Sequence, residues 1–281
     1  MADAASAPRK TAAARLLKWG GAAALGGSLI FIGERLWGLD WSTLQPHLSV
    51  GLVGGIAVGT LLFAAADRAL AHGWTALADL DRTFPPSDMR RIYARGVLLK
   101  YLPGSIFQYV SRQVEGSKSG IEHKTLAKSA VVEVGLHLVS SMSVAAACLT
   151  FDRSPVAAIG AATLVVGTSL VMRRPLLTAL AFQILAFGAF AAAAALVGSA
   201  VLPAGASLAQ FAALFLLAWL AGFIVPVAPG GLGVREAALL ALAGGGVPAA
   251  GLMAATLALR VSSIAGDLVY GLATLQRRRR N

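Results

Sequence analysis

Charge is scarce in this chain, and acidic charge is scarcest. Of 281 residues, 13 are Asp or Glu and 24 are Lys or Arg; charged residues make up 13% and hydrophobic residues 57%, with a mean hydropathy of +0.72. Soluble domains carry about 25% charged residues, so these are too few to cover a water-facing surface. A large soluble domain is therefore not expected. Cysteine occurs once, at Cys148 within an apolar run, which excludes an intrachain disulfide and a cysteine-based metal site. There are four histidines, none paired at helical ligand spacing. The sequence Glu133-x-x-x-His137 is too common a pattern to mark a metal, so neither a metal nor another cofactor is expected. Aromatic residues are 7% of the chain and do not interleave with a basic stripe, which argues against a nucleic-acid partner. Period-two alternation over strand length is absent too, and with it the signature of a membrane β-barrel.

What the chain does have is long uncharged runs. They extend from Trp19 to Gly33, Trp41 to Ala66 (a span starting near Val50), Val134 to Phe151 and Ser154 to Met172. No charge falls between Arg174 and Arg235, and the break around Gly198-Ser199 and Pro203-Ala204-Gly205 divides that stretch into 175–198 and 207–225. A last run covers 249–272. A spanning helix needs roughly 20 apolar residues, and backbone in lipid must satisfy itself within a helix. The expectation is an all-α, polytopic helical membrane bundle, one transmembrane domain over 1–281, with about seven full spans. The N-terminal segment resembles a signal peptide but lacks a convincing cleavage site before Glu34, and reads as an uncleaved first span.

Basic residues give the orientation. Arg9, Lys10 and Arg15 mark 1–15 as a cytoplasmic basic tail, Arg277 to Arg280 end the chain, and Arg68, Arg82, Arg90, Arg91, Arg95, Arg112, Lys118, Lys124 and Lys128 precede the third span. The opposite side has only Arg35 and Arg153. Positive charge stays inside, so both termini are expected in the cytoplasm, and the net charge of +11 reflects topology and attraction to anionic headgroups. Seven crossings would leave the C-terminus on the wrong side. Two segments with Pro-Gly at their centre supply the remainder. The stretch 97–111, around Pro103-Gly104, is too short to cross and reads as a re-entrant hairpin; an amphipathic interfacial helix is the other reading. The stretch 226–246, containing Pro229, Gly230, Gly231 and Gly233 and followed by Gly244-Gly245-Gly246, reads as a broken helix that crosses and restores parity. Were it re-entrant instead, the terminal arginines would lie outside.

The runs Lys100-Tyr101-Leu102-Pro103-Gly104, with Arg112 downstream, and Pro226-Val227-Ala228-Pro229-Gly230-Gly231-Leu232-Gly233-Val234-Arg235-Glu236 resemble the two signature stretches of the lysylphosphatidylglycerol synthase transmembrane-region family, also called flippase-like. The resemblance covers roughly residues 15 to 275. Ser105 and Phe107 stand where the family often has lysine and tryptophan, and no aminoacyl-transferase domain follows residue 281. It implies lipid handling in a bacterial cytoplasmic membrane, not lysyl transfer.

Ionisable residues at membrane depth are costly and each invites a functional reading. Glu133 lies on one helix face with His137, and Arg260 on one face with Asp267. Lys100, Arg235 and Glu236 sit at the two breaks. Glu133 is expected to pair with Arg260 or Arg235 across the bundle, and helix N-termini after Gly104 and Gly233 to face a phosphate. Substrate-binding candidates are thus Pro103, Gly104, Arg112, Glu133, Pro229, Gly230, Gly231, Gly233, Arg235, Glu236, Arg260 and Asp267, with no catalytic residue assigned. The leading expectation is a translocator moving an anionic or headgroup-bearing lipid between leaflets. The alternatives are a membrane-embedded enzyme using Glu133, His137 and Glu236 on a headgroup, or a scaffold for a lipid-modifying enzyme. Partners would be a lipid with a phosphate-bearing headgroup, and a further copy of the chain or such an enzyme.

Overall fold

A serine opens the first described helix. In this computed structural model, which describes residues 49–101, 107–172, 174–224, 231, 233–244 and 249–276, Ser49 Oγ accepts from the Leu52 N–H at 3.1 Å and caps α1, Val50–Ala78. Two prolines start α2, Pro86–Leu99, with Asp88 in its first turn; the fixed φ of proline and a carboxylate both suit a helix N-terminus. There follow α3 (Phe107–Lys118), α4 (His123–Phe151), α5 (Pro155–Met172), α6 (Pro175–Val201), α7 (Leu208–Ile224), α8 (Val234–Ala243) and α9 (Ala249–Gln276). The described residues contain helices and no strand. Helices α1, α4, α6 and α9 are long and apolar enough to cross a membrane, while α5 and α7 are shorter apolar helices. The expected first span, the tail 1–15, and Pro103, Gly104, Pro229, Gly230 and Arg277 to Arg280 lie outside the described residues.

Polarity is inverted relative to a soluble protein. Val50, Val156 and Val171 are 91%, 83% and 81% exposed, whereas Glu133, Asp267 and Asp67 are 1%, 2% and 3% exposed. Water would penalise both halves of that arrangement; lipid around the outside removes the first penalty, and the interior must resolve the second by pairing.

Small residues set how closely the central helices approach. A Cβ on Gly55 would stand 3.4 Å from the Leu196 carbonyl oxygen of α6, and one on Gly73 3.2 Å from that of Ala179. On the other flank, Gly59 faces Ser262 of α9, and Ser262 Oγ donates to the Ile56 carbonyl at 3.2 Å. With Gly266 of α9 lying one turn on, against Thr60 and Ala64, these contacts show that α1 and α9 run parallel and α6 antiparallel to them. Likewise Gln183 Nε2 donates to the Glu133 carbonyl at 3.3 Å and Phe187 meets His137, so α4 runs with α6. Ser141 Oγ donates to the Leu216 carbonyl at 3.4 Å while His137 stacks on Phe223, so α7 runs against α4. Helices α1, α7 and α9 therefore point one way, and α4 and α6 the other.

Gly266 is the tightest of these approaches. An added Cβ would lie 2.8 Å from the Thr60 carbonyl oxygen and 3.0 Å from the Ala64 nitrogen, both backbone atoms that cannot rotate aside. Gly266→Ala is expected to destabilise the bundle by about 1–3 kcal/mol, as overpacking does, and a thermal unfolding series in detergent would register it as a lowered midpoint.

Candidate functional site

A cavity of about 110 Å³ lies inside the bundle, with walls from every described helix except α5. It has space for several waters or for a phosphate-sized group. Its walls divide by chemistry.

One wall is aromatic and cationic. From α7, Trp219 and Phe223 are four residues apart and stack at 5.2 Å with an interplanar angle of 10°. His137 of α4 stacks on Phe223 at 5.3 Å, and its Nδ1 bonds to the Glu133 carbonyl at 2.8 Å. The Arg235 guanidinium lies 5.3 Å from the Trp219 ring centroid, a cation–π position. Arg235 makes no ion pair among the described residues, and its Nε is buried without a hydrogen-bond partner.

The turn before α8 brings Arg235 there. Gly231 and Gly233 have φ of +71° and +80°, the left-handed region that side chains avoid. A Cβ on Gly231 would also come within 2.8 Å of Arg235 Nε and 3.0 Å of Gly222 Cα. The Gly233 N–H donates to Glu236 Oε2 at 2.7 Å, Glu236 Oε1 accepts from Arg260 Nε, and Arg260 Nη2 donates to the Gly231 carbonyl at 3.1 Å. Arg260 thus ties both sides of the turn. Glu236 caps α8 rather than facing a ligand, and it occupies the Gly233 amide that the sequence offered to a phosphate.

The other wall is acidic. Asp267 accepts from Lys100 Nζ at 2.7 Å and from the Tyr101 hydroxyl, and Asp67 stands beside them in the cavity lining.

Arg112 and Glu133 are outside this cavity and paired with each other. Arg112 Nη1 to Glu133 Oε2 is 2.7 Å, Tyr93 Oη donates to Glu133 Oε1 at 3.2 Å, and the guanidinium sits 4.7, 4.8 and 5.4 Å from the centroids of Tyr93, Tyr109 and Trp74. The expected partnership of Glu133 with Arg260 or Arg235 is thereby corrected. Helix α3 brings Arg112 to α4, whereas Arg260 is taken by Glu236. Arg260 and Asp267, on one face of α9, likewise take different partners.

Comparison with family models, curated proteins and solved structures yields no match. The site therefore stands on its own chemistry. Of the candidates, Gly231, Arg235, Arg260 and Asp267 line the cavity, with Gly233 and Glu236 building the turn beside it. Lys100, Tyr101, Asp67, Trp219 and Gly222 line it too; the sequence pointed to Lys100 and Tyr101 and not to the other three. Among the described residues no three metal-ligating side chains converge.

Proposed function

We propose that the chain is an integral membrane lipid translocator of the flippase-like kind, taking the phosphate of an anionic or headgroup-bearing lipid into the bundle at Arg235. The observation that carries this reading is an arginine inside a cluster of apolar helices, lining a phosphate-sized cavity, with no ion pair among the described residues. A half-buried cation whose Nε has no hydrogen-bond partner among the described residues is costly at membrane depth, and a phosphate that seats there supplies one. Arginine suits the task because its planar fork bonds phosphate oxygens bidentately. Trp219 holds the guanidinium in place meanwhile. The enzymatic alternative loses ground, because Glu133 and Glu236 are each held by an arginine.

The helix directions support the wider topology. With α1 ending and α4 beginning on one side, α2 and α3 begin and end on that same side, as a re-entrant 97–111 requires. The shared direction of α7 and α9 favours the reading of 226–246 as a broken helix that crosses. Positive charge at Arg277 to Arg280 assigns that side to the cytoplasm in this reading, which takes the chain as a single bacterial inner-membrane domain of about seven full spans. Asp67, Gly222 and Asp267 lie toward the cytoplasmic ends of their helices, so the cavity receives the headgroup from that leaflet. Broken helices meeting inside the membrane are a common way to build such a site.

Native mass spectrometry tests the reading. Wild-type protein in mild detergent is expected to retain a phosphate-bearing lipid, and Arg235→Ala to lose it, a loss of about 1.5–3 kcal/mol for a charged hydrogen-bonded contact. Equal lipid carriage by both proteins would make Arg235 structural and favour a scaffold role.

A further inference from the structure

Two carboxyl groups face the cavity, and one ammonium stands beside them. Asp267, 2% exposed, is bonded to Lys100 at 2.7 Å and to the Tyr101 hydroxyl. Asp67 of α1, 3% exposed, has its Oδ2 buried with no hydrogen-bond partner among the described residues. Among the described residues the Lys100 ammonium is the nearest compensating charge, and it is already bonded to Asp267. Arg68, next in the chain, is exposed. From α9, Arg260 is committed to Glu236, and the buried Tyr270 hydroxyl has no hydrogen-bond partner among the described residues. From α2, Tyr93 bonds to Glu133, whose charge is taken by Arg112; from α4, His137 bonds to a backbone carbonyl. Helix α6 contributes no charged residue, and Arg235 stands on the opposite, aromatic wall beside Trp219. With every group ionised, two carboxylates share one ammonium on this wall, and an anion seated at Arg235 would leave Asp67 with no positive charge to itself. A buried carboxylate in that position is removed most simply by a proton.

We propose that Asp67 and Asp267 form a proton-binding pair that couples proton uptake to the binding of an anionic phosphate group at Arg235. The proton adds to a carboxylate oxygen of Asp67, giving the neutral acid, and leaves from it again; no other bond is made or broken. With the proton bound, the cavity admits an anion without facing a bare carboxylate. With it lost, the carboxylate repels the anion across the cavity that Asp67 and Arg235 both line. Each ligand therefore favours the other by the same factor, and a proton gradient becomes a source of energy for the step. The identity of the anion as a lipid phosphate rests on the reading above; the proton site does not.

The experiment uses the full chain in neutral detergent, with short-chain phosphatidylglycerol as the lipid anion and inorganic sulfate as the free anion, neither of which titrates near neutral pH. Affinity of the wild type for phosphatidylglycerol is expected to fall about tenfold per pH unit once the pair has lost its proton, the slope of one linked proton. Asp67→Asn is expected to bind with no pH slope, near the wild type's low-pH affinity. In infrared difference spectra the wild type is expected to show a carboxylic-acid C=O band that disappears on raising pH and is missing in Asp67→Asn. The same pH slope in wild type and variant, or a wild type without that band, overturns the proposal, as does loss of the band on exchanging choline for sodium at fixed pH. A band lost in Asp67→Asn, with no binding of either anion, upholds the proton site and sinks the lipid-phosphate reading. A pH slope for sulfate alone upholds the coupling and makes the ligand a free anion.

Discussion

Arg112→Ala is expected to be the most damaging single change to folding. It removes the partner of Glu133, a carboxylate 1% exposed, and leaves that charge buried beside Tyr93 alone. Breaking one side of a buried pair costs about 3–5 kcal/mol, a large part of the roughly 5–15 kcal/mol that holds a typical protein folded. The guanidinium also fills the space among Trp74, Tyr93 and Tyr109, so its removal empties an aromatic box as well. Arg112→Lys is expected to recover only part of the loss, because a point charge replaces a flat group that stacks on three rings. The double change Arg112→Met with Glu133→Leu separates the two terms. With no charge left to compensate, it is expected to be far milder than Arg112→Ala, and thermal unfolding of the three variants in one detergent ranks them. A double variant as unstable as Arg112→Ala would mean that the packing, not the charge, dominates.

This pair also marks where sequence reading stops. Spacing along one helix says which residues share a face, and it placed Glu133 with His137 and Arg260 with Asp267 correctly. It does not say which helix lies opposite. Arg112 reaches Glu133 because α3 packs against α4, and Gly96 of α2 makes room for its stem: a Cβ there would sit 3.2 Å from Arg112 Cγ. The apolar spans were legible because charges bound them; α4 to α7 and α9 end within a few residues of the uncharged runs at that side, and α4 begins earlier, among Lys124 and Lys128. The second run misled for the same reason. It stops at Ala66, before Asp67, whereas α1 continues to Ala78, since a charge that meets its surroundings inside the bundle does not end a helix. Asp67 went unseen on that account. Trp219 and Phe223 were hidden differently: within a run apolar on every face, nothing distinguishes a ring lining a cavity from one packed in the core.

A second large effect is expected from one methyl group with no charge of its own. Gly222 lies on α7 where the stem of Arg235 crosses it. A Cβ there would collide with Arg235 Cγ and stand 2.9 Å from its Nε and 3.2 Å from its Cδ. These atoms belong to a flexible side chain, so Gly222→Ala has a way out that Gly266→Ala lacks. The arginine swings off Trp219 and the helix stays in place. Stability should then change by less than the roughly 1–3 kcal/mol typical of overpacking. Lipid retention should fall about as far as in Arg235→Ala, tenfold or more if one charged hydrogen-bonded contact worth about 1.5–3 kcal/mol is lost. Trp219 supplies an independent readout, because its fluorescence reports whether the guanidinium still covers the ring. The expected result is a folded protein with altered Trp219 emission and little bound lipid. Full lipid retention with altered emission would show that the position of Arg235 over Trp219 is immaterial to binding, and would move the phosphate site toward Lys100 and Arg260.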